Sequence, residues 1–181
     1  MLPGVGQLEW TYETTGVVSA SPERVMAWWY DPGRSHESLR LMERVVGHKI
    51  SMTQSTVDDL RIRDLRWKDR QGGDRHHHIE TQLSSDGMPL REGDLFVAPG
   101  SESFSLQLPS GHEMTRTCEG GMRFLPLPSG ATEVSFVHHH ILVGGNRLDR
   151  WSHSRSERAN GHRMFRDLVA QCQNALDHLA T

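Results

Sequence analysis

The last stretch of the chain, Gly161 to Leu179, reads GHRMFRDLVAQCQNALDHL and needs a partner. Its apolar residues Phe165, Leu168, Val169, Cys172, Leu176 and Leu179 recur at i, i+3, i+4, i+7, i+11 and i+14. That spacing is one face of an α-helix. Arg166, Asp167, Gln171, Gln173, Asn174 and Asp177 occupy the opposite face. One helix cannot bury such a stripe by itself, and the only partner upstream is a succession of strand patterns. The expected class is therefore α+β, a curved antiparallel sheet of about seven strands around one long C-terminal helix.

The strand patterns follow from apolar alternation and turn residues. Leu8–Ser19 is the first, with Gly16 as a bulge. Ser21-Pro22-Glu23 starts a helix, with serine as N-cap, proline in the first turn and an acidic side chain at the positive end of the dipole. That helix stops at Asp31-Pro32, because a residue before proline resists the helical conformation. A second short helix is expected over Ser35–Glu43. Strands are then expected over Arg44–Met52, Asp59–Lys68, Arg75–Leu83, Glu102–Leu108, Glu113–Leu125 and Thr132–Val143, with Asp94–Ala98 as an extra edge strand. The Trp67 strand alternates poorly, which predicts a bulge near Arg63-Asp64. Gly72-Gly73, Asp86-Gly87, Pro109-Ser110-Gly111 and Pro128-Ser129-Gly130 supply turns. Arg147–Asn160 reads as helical, with Gly161 kinking or separating it from the final helix.

At 181 residues the chain suits one domain, 1–181, large enough for a core and a cavity. A net charge of −3 gives no global field for nucleic acid or membrane. No apolar run approaches the ~20 residues of a membrane span. Met1 to Gln7 has neither the positive patch nor the apolar core of a signal peptide, so the expected location is cytoplasmic. Cys118 and Cys172 lie outside any CxxC and read as reduced core thiols. No nucleophile elbow, P-loop, dinucleotide fingerprint or HExxH is present, which sets aside serine hydrolases and kinases.

Three stretches carry a resemblance: VVSASPERVMAWWYDPGR near the N-terminus, GATEVSFVHHHIL as the last strand and RMFRDLVAQCQNALDHL as the final helix. With them the chain resembles the START and birch-pollen-allergen (SRPBCC, helix-grip) superfamily, and within it the polyketide cyclase/dehydrase-like branch. The resemblance covers nearly the whole chain. It implies a cavity between sheet and C-terminal helix that takes an apolar, aromatic or polyketide-type small molecule, in secondary metabolism or antibiotic biosynthesis. The protein would then be a carrier, a sequestering protein or a self-resistance protein. The alternatives are a polyketide cyclase/aromatase and a protein–protein module. The allergen branch has a glycine-rich loop where this chain reads SMTQSTVDD, so no phosphate-loop argument transfers.

Alternation selects the strand face that lines such a cavity. Val134, Phe136, His138, His140 and Leu142 share one face of the last strand. Met114, Arg116, Cys118, Met122 and Phe124 share one face of the strand before it, with Gly120 among them. His77, Ile79, Thr81 and Leu83 form a third set, and Phe104, Leu106 and Leu108 a fourth. The expected ligand contacts are His77, Phe104, Met114, Met122, Phe124, Phe136, Phe165, Leu168 and Cys172. The expected catalytic groups, if the protein is an enzyme, are His138 or His140 as general base and Arg116 as oxyanion donor.

Histidine is the unusual residue, with twelve in all and triplets at His76–His78 and His138–His140. Positions i and i+2 of a strand lie about 6.6 Å apart on one face, so each triplet offers an H-x-H pair. No aspartate, glutamate or cysteine stands at a fixed ligand spacing to either pair, and no metal and no cofactor are expected. Six arginines between Arg147 and Arg166, against Asp149 and Glu157, read as a solvated helix face. The partner readings are the small hydrophobic molecule, an acyl-carrier protein and a second copy of the chain.

Overall fold

The computed structural model describes residues 6–68, 72–108 and 111–179. The turn at Pro109-Ser110 and residues 1–5 lie outside the described residues.

Eight strands form one antiparallel sheet: β1 (Gln7–Val18), β2 (Ser51–Val57), β3 (Leu60–Lys68), β4 (Asp74–Gln82), β5 (Leu90–Glu92), β6 (Leu95–Gln107), β7 (Glu113–Pro126) and β8 (Thr132–Gly144). Their spatial order is β1-β8-β7-β6-β4-β3-β2, with β5 paired to β6 beyond the end of β4. Helices α1 (Pro22–Tyr30) and α2 (Ser35–Val46) follow β1, joined by a short 3₁₀ turn at Pro32–Arg34. Helix α3 (Arg147–His178) closes the chain and packs on β1. The α+β class and the sheet-around-helix arrangement are those expected.

Several boundaries differ for physical reasons. The strand expected over Arg44–Met52 is mostly the end of α2 and a turn. Gly47, at φ 77°, caps the helix and donates its N–H to Glu43 O at 2.8 Å. Glu43 then accepts from the Ile50 backbone at 3.0 Å, which holds the turn. The segments expected at Asp94–Ala98 and Glu102–Leu108 are one strand, β6. Pro99 falls between Thr81, opposite Gly100, and Leu90, opposite Val97, where that edge of β6 has a gap in its pairing. The bulges expected at Gly16 and at Arg63-Asp64 are absent, because both strands pair residue for residue.

Helix α3 is continuous through Gly161 and spans 32 residues, so no kink separates two helices. It begins with a capping box. Asn146 Oδ1 accepts from Leu148 and Asp149 N–H at 2.8 and 2.9 Å, and Asp149 Oδ2 accepts from Asn146 N–H at 2.9 Å. Gly161 and Gly16 instead let helix and strand meet. A Cβ on Gly161 would lie 3.0 Å from the Tyr12 hydroxyl, and one on Gly16 would lie 2.9 Å from Val169. From residue 161 to 169 the helix rises about 12 Å, and from residue 12 to 16 the strand rises about 13 Å. The two runs match, so α3 lies along β1 in the same direction with a glycine at each close approach.

The core beneath α3 gathers Val18, Val25, Met26, Phe124, Val134, Phe165, Cys172 and Leu176. Both cysteines are buried free thiols. Leu179 departs from the expected stripe: it is 76% exposed, one residue past the helix end. Leu176→Ala should therefore cost roughly 2–5 kcal/mol in chemical denaturation, whereas Leu179→Ala should stay within about 0.5 kcal/mol.

Candidate functional site: a cavity with a charged floor

Strand register builds the site by lining up side chains across the concave face. One row runs Arg63, Ile79, Glu102, Cys118, His140, Trp10 over β3, β4, β6, β7, β8 and β1. The row beside it runs Arg61, Thr81, Gly100, Gly120, His138, Tyr12, and the row on the other side runs Leu65, His77, Phe104, Arg116, Leu142, Leu8. Gly120 makes room for its neighbour, since a Cβ there would lie 2.7 Å from His138 Cδ2 and 1.9 Å from Val137 O.

Over these rows, under α1, α2 and α3, lies a cavity of about 270 Å³. Trp10, Tyr12, Trp28, Trp29, Tyr30, Phe136 and Phe165 supply aromatic walls, and Met42, Met122 and Met164 supply pliable ones. His77, Glu102, Arg116, His138 and His140 supply a polar floor. An apolar cavity of about 150 Å³ holds a benzene, so this one has room for a larger ring system.

Of the residues expected to contact ligand, His77, Met122, Phe136, Phe165 and Leu168 line the cavity, as do Arg116, His138 and His140. Phe104, Met114, Phe124 and Cys172 face inward but sit in the packed core outside the cavity wall. Phe104 stacks with Trp67 and His153 at centroid distances of 5.8 and 5.6 Å. Met114 packs with Leu106 and Leu142. Phe124 meets the edges of Trp29 and Tyr30, each at 6.0 Å. Cys172 is fully buried among the core residues where α3 meets α1. The α1 and α2 contributions and Arg61, Arg63 and Glu102 were not anticipated. Glu102 had a signal: it shares parity with Phe104, a charge on an otherwise apolar face.

The triplets divide by alternation. His76 and His78 face outward, where Asp64 Oδ1 lies 2.8 Å from His76 Nε2 and 2.9 Å from His78 Nδ1. His139 also faces outward, near Glu9. His77, His138 and His140 face inward.

The floor is an ion network. Arg116, 3% exposed, donates through Nη1 to Glu157 and through Nη2 to Glu102 at 3.5 Å. His77 Nε2 lies 2.8 Å from Glu102 Oε2. Burial works against the Glu102 carboxylate, but His77, His138 and Arg116 outweigh it and hold its pKa well below the usual range. An ionised carboxylate only accepts, so His77 Nε2 is the donor. Burial, reinforced by Arg116 and His138, pushes the His140 pKa down to about 4. Burial likewise lowers the pKa of His138, against the pull of Glu102. Both imidazoles are neutral near pH 7. His140 stacks flat on Trp10 at 4.8 Å.

Five buried polar atoms around the cavity have no hydrogen-bond partner among the described residues: the Tyr12 hydroxyl, Trp28 Nε1, Arg63 Nε, Arg116 Nε and His140 Nδ1. Buried polar groups are nearly always satisfied, so their convergence on one cavity marks a site that receives polar atoms.

Part of the arginine-rich segment serves the fold. Arg150 donates to the Gly144 and Gly145 carbonyls at 3.0 and 2.7 Å, Arg155 lies over Trp151, and Arg158 lies over Trp10 at the cavity.

The architecture is a helix-grip fold, a curved antiparallel sheet around one long C-terminal helix. No protein-family profile and no curated protein matches the sequence. Solved structures do match in shape. An uncharacterised protein from Rhizobium leguminosarum superposes with a TM-score of 0.58 at 10% identity, over 94% of this chain and 97% of that one. The Mll3558 protein of Rhizobium loti superposes with a TM-score of 0.60 at 12% identity, over 91% and 98%. A conserved protein from Geobacillus kaustophilus gives 0.50 at 11%, over 92% and 97%. Likeness at these identities is a likeness of fold. Among the described residues, no helix is long and apolar enough to cross a membrane.

Removing Arg116 would leave Glu102 and Glu157 facing each other without their shared cation. Arg116→Leu should cost about 3 kcal/mol in urea denaturation. The double variant Arg116→Leu/Glu102→Leu should recover part of that loss, because the stranded carboxylate goes with its partner.

Proposed function

We propose that the protein binds a small aromatic molecule of the polyketide or phenolic type, rings against the aromatic walls and oxygen atoms toward the floor. The observation that carries this reading is the set of unpartnered donors, Trp28 Nε1, Arg63 Nε and Arg116 Nε, around an aromatic-walled cavity. All three are donors, so the fitting ligand brings acceptors: carbonyl, hydroxyl or phenolate oxygens. Apolar walls with a few placed polar groups are the usual make-up of a small-molecule site. A carrier or sequestering role in secondary metabolism is the finer form of the reading.

Cyclisation by a histidine base is the second reading, and the inward placement of His138 and His140 on the cavity favours it. An imidazole with a pKa near 4 is a weak base at neutral pH. Arg116 already has both terminal nitrogens engaged with carboxylates. Binding therefore ranks ahead of turnover.

Trp10, Trp28 and Trp29 line the cavity and provide a readout. Addition of 2-naphthol should quench tryptophan emission saturably. Arg63→Met should weaken 2-naphthol about tenfold and leave naphthalene nearly unchanged, since a hydrogen bond to a charged donor is worth about 1.5–3 kcal/mol. Equal affinity of wild type and variant for 2-naphthol would contradict the assignment of Arg63 as an anchor.

A further inference from the structure

Linear spacing offers neither histidine pair a cysteine, but register does. Cys118 on β7 stands directly opposite His140 on β8, and His138, two residues earlier, stands opposite Gly120. All three side chains point to the concave face. Their donor atoms, the Cys118 sulfur and one ring nitrogen from each histidine, lie within 4.8 Å of one another. Cys118 Sγ and His138 Nδ1 are 3.3 Å apart. The three residues are 2%, 4% and 6% exposed. His140 Nδ1 is buried without a hydrogen-bond partner among the described residues, an independent sign that this ring is built to meet a ligand.

Zinc binds sulfur at about 2.3 Å and imidazole nitrogen at about 2.0–2.1 Å, so tetrahedral donors stand about 3.3–3.8 Å from each other. One donor pair already meets that spacing, and the set closes with side-chain shifts of about 1 Å. We propose that Cys118, His138 and His140 form a three-ligand site for a single zinc-class cation, with the fourth position open to the cavity. The donor set selects the class. A thiolate with two imidazoles suits zinc and its softer neighbours and does not suit magnesium or calcium, which take oxygen. Three protein ligands plus an open position is the layout of a site that meets a ligand or water, whereas structural sites are closed by four.

Glu102 stands beside the open position. It is opposite Cys118 on β6, and its Oε1 lies 3.8 Å from His138 Nδ1. There it can accept a hydrogen bond from whatever occupies the fourth position. On metal uptake the Cys118 S–H bond breaks, a metal–sulfur bond forms and the proton leaves to solvent. Across the sheet, Asp64, His76 and His78 form a second nitrogen–oxygen cluster, but it is only half-buried and both histidines already bond Asp64. It serves as the control.

The test uses metal-free wild-type protein titrated with cobalt(II) chloride. The expected result is a thiolate-to-cobalt charge-transfer band in the near ultraviolet and intense tetrahedral visible bands. Both should saturate at a single cobalt per chain and be displaced by zinc. Cys118→Ser should abolish the charge-transfer band, and His140→Ala should weaken cobalt binding about tenfold or more. Cys172→Ala and His76→Ala/His78→Ala should leave the spectrum intact. Should Cys118→Ser fail to fold, the wild-type band together with its survival in Cys172→Ala still assigns the thiolate. The absence of a charge-transfer band in folded wild-type protein would overturn the proposal. So would a spectrum that survives in Cys118→Ser and disappears in His76→Ala/His78→Ala. The 2-naphthol titration is read separately: ligand uptake without cobalt uptake retires the metal and leaves the cavity reading intact.

Discussion

The register of β6, β7 and β8 is the constraint on which the rest depends. Glu102 opposite Cys118, and Cys118 opposite His140, put a carboxylate, a thiol and an imidazole side by side on the concave face. A slip of one residue would turn the whole row to solvent and bring Ser103, Thr117 and His139 inward. The register is held at several points. Met114, Phe124, Val134 and Leu142 are fully or almost fully buried on the same face, so a slip would expose them together. The buried Thr132 hydroxyl donates to Ala20 O at 2.7 Å, tying the start of β8 to the entry of α1.

On that frame the charged floor is self-consistent. Glu102 tolerates burial because His77, His138 and Arg116 surround it, and Arg116 tolerates burial because Glu102 and Glu157 receive its two ends. Glu157 comes from α3, so the network also joins the helix to the sheet. The close approaches at Gly16 and Gly161 hold the same helix along β1 and define the roof of the cavity. Fold and site are thus one construction, in which the elements that close the core also position the polar groups.

Much of this was legible in the sequence because period-two alternation survives wherever one strand face is buried. Val134, Phe136, His138, His140 and Leu142 share parity and do face inward. Parity reports the face and is silent on depth, which is why Phe104, Met114 and Phe124 read like cavity residues and pack in the core. The end of α2 was not legible because Val45 and Val46 are β-branched and read as strand, while the helix gains its stop from Gly47 and its turn from Glu43. Gly16 and Gly161 carry the sequence signature of a bulge and a break. Only the packing of α3 on β1 shows that each is a place where a side chain of one element, Val169 or Tyr12, seats against the backbone of the other. Cys118 beside two histidines is a cross-strand fact, invisible to linear spacing.

The methionines provide the most direct test of the central claim, that the space between sheet and helices is a ligand cavity. Met42, Met122 and Met164 line it, whereas Met26 and Met114 lie in the packed core. Methyl-labelled methionine NMR during titration with 2-naphthol should shift Met42, Met122 and Met164 and leave Met26 and Met114 nearly still. Shifts confined to methionines outside the cavity, or no shifts at saturating ligand, would contradict the account.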